Sequence, residues 1–243
     1  MKKTVVFIFA LVITSILCGC KTSGKNVLKK RIERMESSSN NPVSIEEIEA
    51  AIKEYSKDAD DVAKKNAQVG MWHKILGLKY LDKKMYGKAM ECFQTALEYY
   101  PDNANLYYYV GNCAGYLGNS ALDYEGTGSY EKMENYYSLS EKAYLRALAI
   151  DDGYAYALYG IGVLYVYQLG QPEDAIPHLE KLLTIDTKNV DGMFVLANAY
   201  YLTKNYDKSA EMFDKIIATT KSEKTKQAAE ENKKKVIDEA YSN

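Results

Sequence analysis

The stretch GMWHKILGLKYLDKKMYGKAMECFQTALEYYPDN, Gly70 to Asn103, decides the fold. In it Leu76, Gly77, Tyr80, Tyr86, Ala89, Phe93, Ala96 and Pro101 form one register of small, aliphatic and aromatic positions. The register returns. Val110-Gly111 follows Leu76-Gly77 by 34 residues, Ile161-Gly162 comes another 51 on, and Leu196-Ala197 another 35 on. A second column agrees independently, because Phe93, Tyr144, Leu179 and Phe213 are separated by 51, 35 and 34 residues, as are Ala96, Ala147, Leu182 and Ile216. Self-similarity at a period of 34 is the signature of stacked supersecondary units, each burying its apolar face against its neighbours.

The columns also say how the units pack. Gly77, Gly111, Gly162 and Ala197 are the places where two helices approach closely, and Phe93, Tyr144 and Phe213 fill the space between neighbouring hairpins. A larger side chain at the small positions overpacks, typically at about 1 to 3 kcal/mol. The period and this order of residues resemble the tetratricopeptide repeat (TPR), a helix-turn-helix unit that stacks into a right-handed solenoid. The copy at Gly70–Asn103 departs from the family only in its first large aromatic: Trp72 stands one residue early, with His73 in the expected column. A fourth copy, Val190 to about Glu223, holds Leu196, Ala197, Tyr200, Tyr206, Ser209 and Phe213. The resemblance implies an all-α fold: a TPR solenoid of about four repeats over residues 70–220.

One interval is too long. Gly111 to Ala147 spans 36 residues against 19 for Gly77 to Ala96, so 17 are inserted within the second repeat, near 118–134. Asp123 to Tyr130 is expected as a loop, and Glu131 to Ile150 as a lengthened second helix.

The 23 tyrosines need an explanation, and NLYYYVGNCAGY, Asn105 to Tyr116, concentrates them. Tyr107, Val110, Gly111 and Ala114 share one helical face, which the register turns inward, so Tyr107 is expected in the core. The opposite face carries Asn105, Tyr108, Asn112 and Tyr116, and in the family such positions line the concave groove. The same register places Tyr156, Tyr159, Val163 and Tyr167 there in the third copy and Asp191, Phe194, Asn198 and Tyr201 in the fourth; the first copy supplies Met71, Lys74, Leu78 and Leu81. Rings and asparagines with few charges suit a binding surface, since tyrosine combines contact area with a hydroxyl and asparagine offers donor and acceptor together. Rings packed on one another would give the same composition. A carboxylate clamp needs several basic residues in the groove, and only Lys74 occupies such a place.

The ends give an address. Lys2 and Lys3 precede the apolar run Val5–Leu17, which at 13 residues is too short for a membrane span and suits a signal sequence. Leu17-Cys18-Gly19-Cys20 resembles a bacterial lipobox, which implies cleavage after Gly19 and a diacylglycerol-modified Cys20; cleavage after Leu17 with Cys18 modified is the rival. Residues 1–19 are then a signal peptide and 20–42 a lipid-anchored tether, polar and Ser/Asn-rich, with a span of roughly 25 Å as a coil. Lys21 after the lipidated cysteine favours the outer membrane, facing the periplasm. Residues 43–69 are expected as an N-terminal helix, opened by a Ser44/Glu47 capping box and a Val43/Ile48 staple and continued by Ile45, Ile48, Ile52, Tyr55, Ala59 and Val62. Residues 221–243, mostly Lys, Glu, Gln and Asn with a narrow stripe at Ala229, Val236 and Ala240, suit a solvating end helix.

Catalytic signals are absent: there is no P-loop, G-x-S-x-G or H-E-x-x-H, and His73 and His178 lack partners at ligand spacing. A formal net charge of −2 offers no basic field for nucleic acid. No cofactor, metal or catalytic residue is expected, and Cys92 and Cys113 are expected as free thiols. The expectation is a non-enzymatic, lipid-anchored TPR adapter for other envelope proteins. The alternative is a transporter-associated module that binds a small hydrophobic ligand. An exposed tyrosine-rich face also allows a homo-oligomer.

Overall fold

A computed structural model describes residues 44–55, 62–122 and 129–242. Its described residues form ten helices and no strand. The helices are α1 (Ile45–Tyr55), α2 (Val62–Asp82), α3 (Tyr86–Tyr99), α4 (Ala104–Leu122), α5 (Ser129–Ile150), α6 (Ala155–Val163), α7 (Pro172–Ile185), α8 (Val190–Leu202), α9 (Tyr206–Thr219) and α10 (Glu223–Ala240). Consecutive helices pack as hairpins α2/α3, α4/α5, α6/α7 and α8/α9, and each hairpin packs on the next. The fold is the expected helical solenoid.

The two sequence columns meet physically. A Cβ added to Gly77 would lie 2.7 Å from the Phe93 ring, one on Gly111 2.8 Å from Tyr144, and one on Gly162 2.5 Å from Leu179. In the first three hairpins the first helix therefore presents a notch and the second a large side chain that fills it. A second device ties the first, third and fourth hairpins to what precedes them. The hydroxyls of Tyr80, Tyr165 and Tyr200, three residues after the small position, donate to carboxylates of Glu49 on α1, Glu141 on α5 and Glu180 on α7.

Of the expected N-terminal helix, α1 covers Ile45–Tyr55, residues 56–61 lie outside the described residues, and α2 opens at Val62 and runs unbroken through Gly70 into the first repeat, so α2 begins eight residues before the register does. The capping box is formed: the Glu47 amide donates to Ser44 Oγ at 3.1 Å, and the Ser44 amide to Glu47 Oε2 at 3.2 Å. Ile48, wholly buried, joins Met71, Trp72 and Leu76 in the first core. Val43 of the proposed staple, Ala59, and the whole of 1–42 including Cys18 and Cys20, lie outside the described residues.

The insertion lengthens both helices of the second hairpin, not the second alone. α4 runs to Leu122 and α5 starts at Ser129, with 123–128 of the expected loop outside the described residues. Gly118 meets Tyr137 as Gly111 meets Tyr144. Seven residues up one helix and seven down the other, the notch-and-ring pair is repeated, which is why the extension stays packed. Tyr137 also donates to Asn119 Oδ1 at 2.6 Å.

The third hairpin carries a local change of helix type. After α6 the chain widens into a π-helical turn, Leu164–Leu169, closed by Gly170 at φ +65°. That conformation suits glycine, which has no Cβ to clash. In the first and fourth hairpins, amides five residues after the tyrosine bond back to it, Met85 to the Tyr80 carbonyl and Asn205 to that of Tyr200; in the third the donor is Gln171, six residues after Tyr165. One residue has been added without breaking the cap.

Candidate functional site: an uncharged cavity between the second and third repeats

The site is built around one ring. Tyr144 of α5 sits between Gly111 on α4 and Gly160 on α6, and a Cβ on either would lie 2.7 to 2.8 Å from it. The ring thus reaches the seam between two hairpins. Ser140, one turn earlier and fully buried, donates to the Gly111 carbonyl at 2.7 Å and fixes α5 against α4. The space left above by Gly115 and Gly160 is a half-open cavity of about 270 Å³. Tyr108, Asn112, Tyr116 and Asn119 line it from α4, Ser140 and Tyr144 from α5, and Tyr159, Val163, Leu164 and Gln168 from α6 and the π turn. None of these carries a charge.

The rings form a connected set. Tyr108 has ring neighbours in Tyr109 at 5.2 Å, Tyr156 at 5.6 Å, Tyr154 at 6.0 Å and Tyr144 at 6.2 Å, and Asn105 Nδ2 donates to the Tyr154 hydroxyl at 2.7 Å. Tyr116 stacks on Tyr86 of α3 at 4.4 Å. Burial pushes the Tyr108 phenol up to about 12, against the weaker pull of its bond from Asn112. Burial also raises Tyr159, helped by the Asp191 carboxylate. Both shifts keep the Tyr108 and Tyr159 phenols neutral at physiological pH.

Of the groove candidates, Tyr108, Asn112, Tyr116, Tyr159 and Val163 line the cavity. Asn105 lies in the adjoining ring cluster with Tyr156, which is 65% exposed. The others are placed differently. Met71 is buried in the same core cluster as Ile48, while Lys74, Leu78 and Leu81 are half-buried. In the fourth repeat Phe194 turns edge-on to Phe213, Asn198 is half-buried, and Tyr201 is drawn off by a hydrogen bond to Glu239 of α10. Tyr107 is half-buried under Arg146, and the fully buried neighbour is Leu106. Tyr167 is exposed outside the cavity, and Gln168 takes the place assigned to it. In a π turn residues five apart share a face, so the residue above Val163 is Gln168, not Tyr167. The 35-residue interval between Gly162 and Ala197 was the available signal: twelve residues separate Gly77 from Ala89 and Ala197 from Ser209, but thirteen separate Gly162 from Ala175. Asn119, Ser140 and Tyr144 were missed because two of them come from the second helix and one from the inserted segment.

Residues 71–103 and 166–229 match tetratricopeptide-repeat family models. The chain carries tetratricopeptide repeats. A TPR repeat-containing protein of Borreliella burgdorferi is 23% identical over 224 residues, covering 92% of this chain and 95% of its own. Among solved structures, YrrB, described as a TPR protein with an unusual peptide-binding site, aligns with a TM-score of 0.56 at 19% identity, over 84% of this chain and 97% of that one. A TPR protein from Parabacteroides merdae aligns with a TM-score of 0.58 at 15% identity, over 90% of this chain and 80% of that one. At such identities the shared property is the TPR solenoid.

A larger opening of about 450 Å³ lies elsewhere, between α7, α8 and α9. Its ionic groups already hold one another: Lys215 pairs with Glu211 at 3.0 Å, Glu180 accepts from Tyr200, and Lys208 sits 5.1 Å over the Tyr200 ring. Among the described residues no His, Cys, Asp and Glu side chains cluster in a way that would hold a metal, and no helix is long and apolar enough to cross a membrane. Cys92 and Cys113 are unpaired and buried. Burial pushes the Cys92 thiol up to about 11 and that of Cys113 up to about 12, which leaves both unreactive near neutral pH.

Proposed function

We propose that this protein is a non-enzymatic adapter, lipid-anchored through Cys20, whose TPR groove holds a segment of another envelope protein. The observation that carries the reading is the cavity at the seam of the second and third repeats. At about 270 Å³ it is smaller than the roughly 300 to 1,000 Å³ of small-molecule sites, it is half-open, and it adjoins the exposed ring of Tyr156. Such a site seats one side chain of a longer segment. Its tyrosines supply contact area at low entropic cost, and its amides can meet a peptide backbone. A transporter-associated ligand module would want a larger and more enclosed space. The lipobox supports the anchor, with the outer membrane favoured by Lys21.

Affinity capture with the full-length chain from detergent-solubilised envelopes tests the adapter, run beside Asn112→Arg, which fills the cavity with a charge. A retained protein that is lost with the variant, at an unchanged melting temperature, is the expected result; equal retention by both forms would place binding elsewhere. Metabolic labelling with an alkyne fatty acid tests the anchor. Label lost in Cys20→Ser and kept in Cys18→Ser is expected, and the reverse pattern moves the anchor to Cys18.

A further inference from the structure

We propose that the opening between α7, α8 and α9 is a separate site for a small aliphatic carboxylate, its anionic end held by Lys188 and Lys215. It shares no lining residue with the groove cavity and does not rest on the adapter reading. Behind it is a break in a charge pattern that the repeats otherwise keep. Arg146, Lys181 and Lys215 each stand directly before a column residue, Ala147, Leu182 and Ile216. The first two reach back across a seam, Arg146 to Asp102 at 3.8 Å and Lys181 to Asp152 at 2.8 Å. The turns that carry these acids have one length, since fourteen residues separate Ala96 from Val110, Ala147 from Ile161 and Leu182 from Leu196. By that count the third turn has Thr187 in place of Asp152 and Lys188 in place of Asp102. The acid is missing, and a second cation stands where the first seam has its own.

The opening lies at this break. Thr187 and Lys215 both line it, and at about 450 Å³ it falls within the roughly 300 to 1,000 Å³ of small-molecule sites. Buried Met193, Leu196 and Met212 with half-buried Leu183 give it an aliphatic floor, which the two methionines can fit to a flexible chain. The acids around it are engaged. Glu180 accepts from Tyr200, and Asp186 accepts from the Lys188 amide at 3.3 Å and from Asn189 Nδ2 at 3.0 Å. Glu211 pairs with Lys215 within α9, both side chains more than half exposed; such a pair contributes little, and the ammonium keeps further donors. Lys208 rests on the Tyr200 ring, and among the described residues neither it nor Lys188 has a carboxylate partner. An acid with an aliphatic body covers the floor and supplies the charge that the third turn lacks. A neutral chain does only the first, and an amine adds like charge.

The test titrates hexanoate, hexanamide and hexylamine into the full-length chain in nonionic detergent and follows isotope-labelled methionine methyl signals by NMR. Met193 and Met212 report on the floor, and Met90, outside the opening, is the control. Saturable shifts at Met193 and Met212 are expected with hexanoate, at an affinity about tenfold above that for hexanamide, with Met90 unmoved. Thr187→Asp supplies Lys215 with the acid that Asp152 gives Lys181, and is expected to abolish the hexanoate preference. Lys215→Met, which keeps the apolar stem and removes the charge, is expected to do the same. No saturable shift, equal affinity for the amide, or tighter binding of the amine overturns the proposal. So does a hexanoate preference that survives both substitutions. The wild-type comparison of acid with amide decides the matter even if a variant proves unstable.

Discussion

Gly111 and Gly87 show how much a single residue's surroundings decide. A Cβ at Gly111 would meet the Tyr144 ring at 2.8 Å, whereas one at Gly87 would meet nothing within 4 Å. Gly111→Val should lower the urea-unfolding free energy by about 1 to 3 kcal/mol. Gly87→Ala should leave it equal or raise it, because alanine has less backbone freedom to lose on folding. Phe93→Ala, removing a wholly buried ring, should cost about 3 to 5 kcal/mol. These positions were legible, since the columns name them. Tyr107 was not, because a shift of one residue along α4 exchanges it with Leu106, and both are large and apolar in part. At the same scale lies a pH dependence. Cys92, Cys113, Tyr80 and Tyr108 are each held above their ordinary values, at about 11, 12, 12 and 12: the thiols and Tyr108 first by burial, Tyr80 first by its hydrogen bond with Glu49. In the unfolded chain thiols ionise at about 8.5 and phenols at about 10, so high pH pulls protons from the unfolded state first. The stability these four groups contribute should be constant between about pH 7 and 8.5 and be lost progressively toward pH 12. A flat melting temperature across that window would contradict the burial of these groups.

At the scale of the helix, the third hairpin holds the point where periodic reading failed. The expectation for Tyr167 assumed 3.6 residues per turn, and the extra residue between Gly162 and Ala175 rotates everything after Val163. Tyr167 is exposed, so deleting it should restore an ordinary α-helical turn and bring Gln168 one place closer to Val163. The melting temperature should stay within a few degrees. Deleting Tyr201, which stands in a hairpin with no extra residue, should lower it substantially by pulling α9 out of register with α8. Equal losses in the two deletions would mean that the π turn is not a one-residue insertion. The lengthened α4/α5 hairpin was half legible: the count of 17 was plain, but its division between two helices required the Gly118–Tyr137 pair to be recognised as a second notch.

The whole molecule repeats one packing unit and differs from repeat to repeat in what its open face offers. At the N-terminal end Met71 is buried in the core cluster that Ile48 of α1 joins, and at the C-terminal end α10 engages Tyr201 through Glu239, so groove positions of the outer repeats are partly taken up by the chain itself. The middle of the array keeps the accessible, uncharged cavity. The fold followed from the periods because packing columns are obligatory in every copy. The site did not, because it depends on where two hairpins leave space, on glycines that omit side chains and on one extra residue. The central claim is that a partner segment enters at that seam. Its most direct test is in-cell photo-crosslinking with a benzophenone amino acid placed singly at Tyr116, at Tyr156 and at Leu145, an exposed position on α5 outside the cavity. One common crosslinked partner at Tyr116 and Tyr156, absent at Leu145, is predicted; crosslinks at Leu145 alone, or at none of the three, would contradict the account.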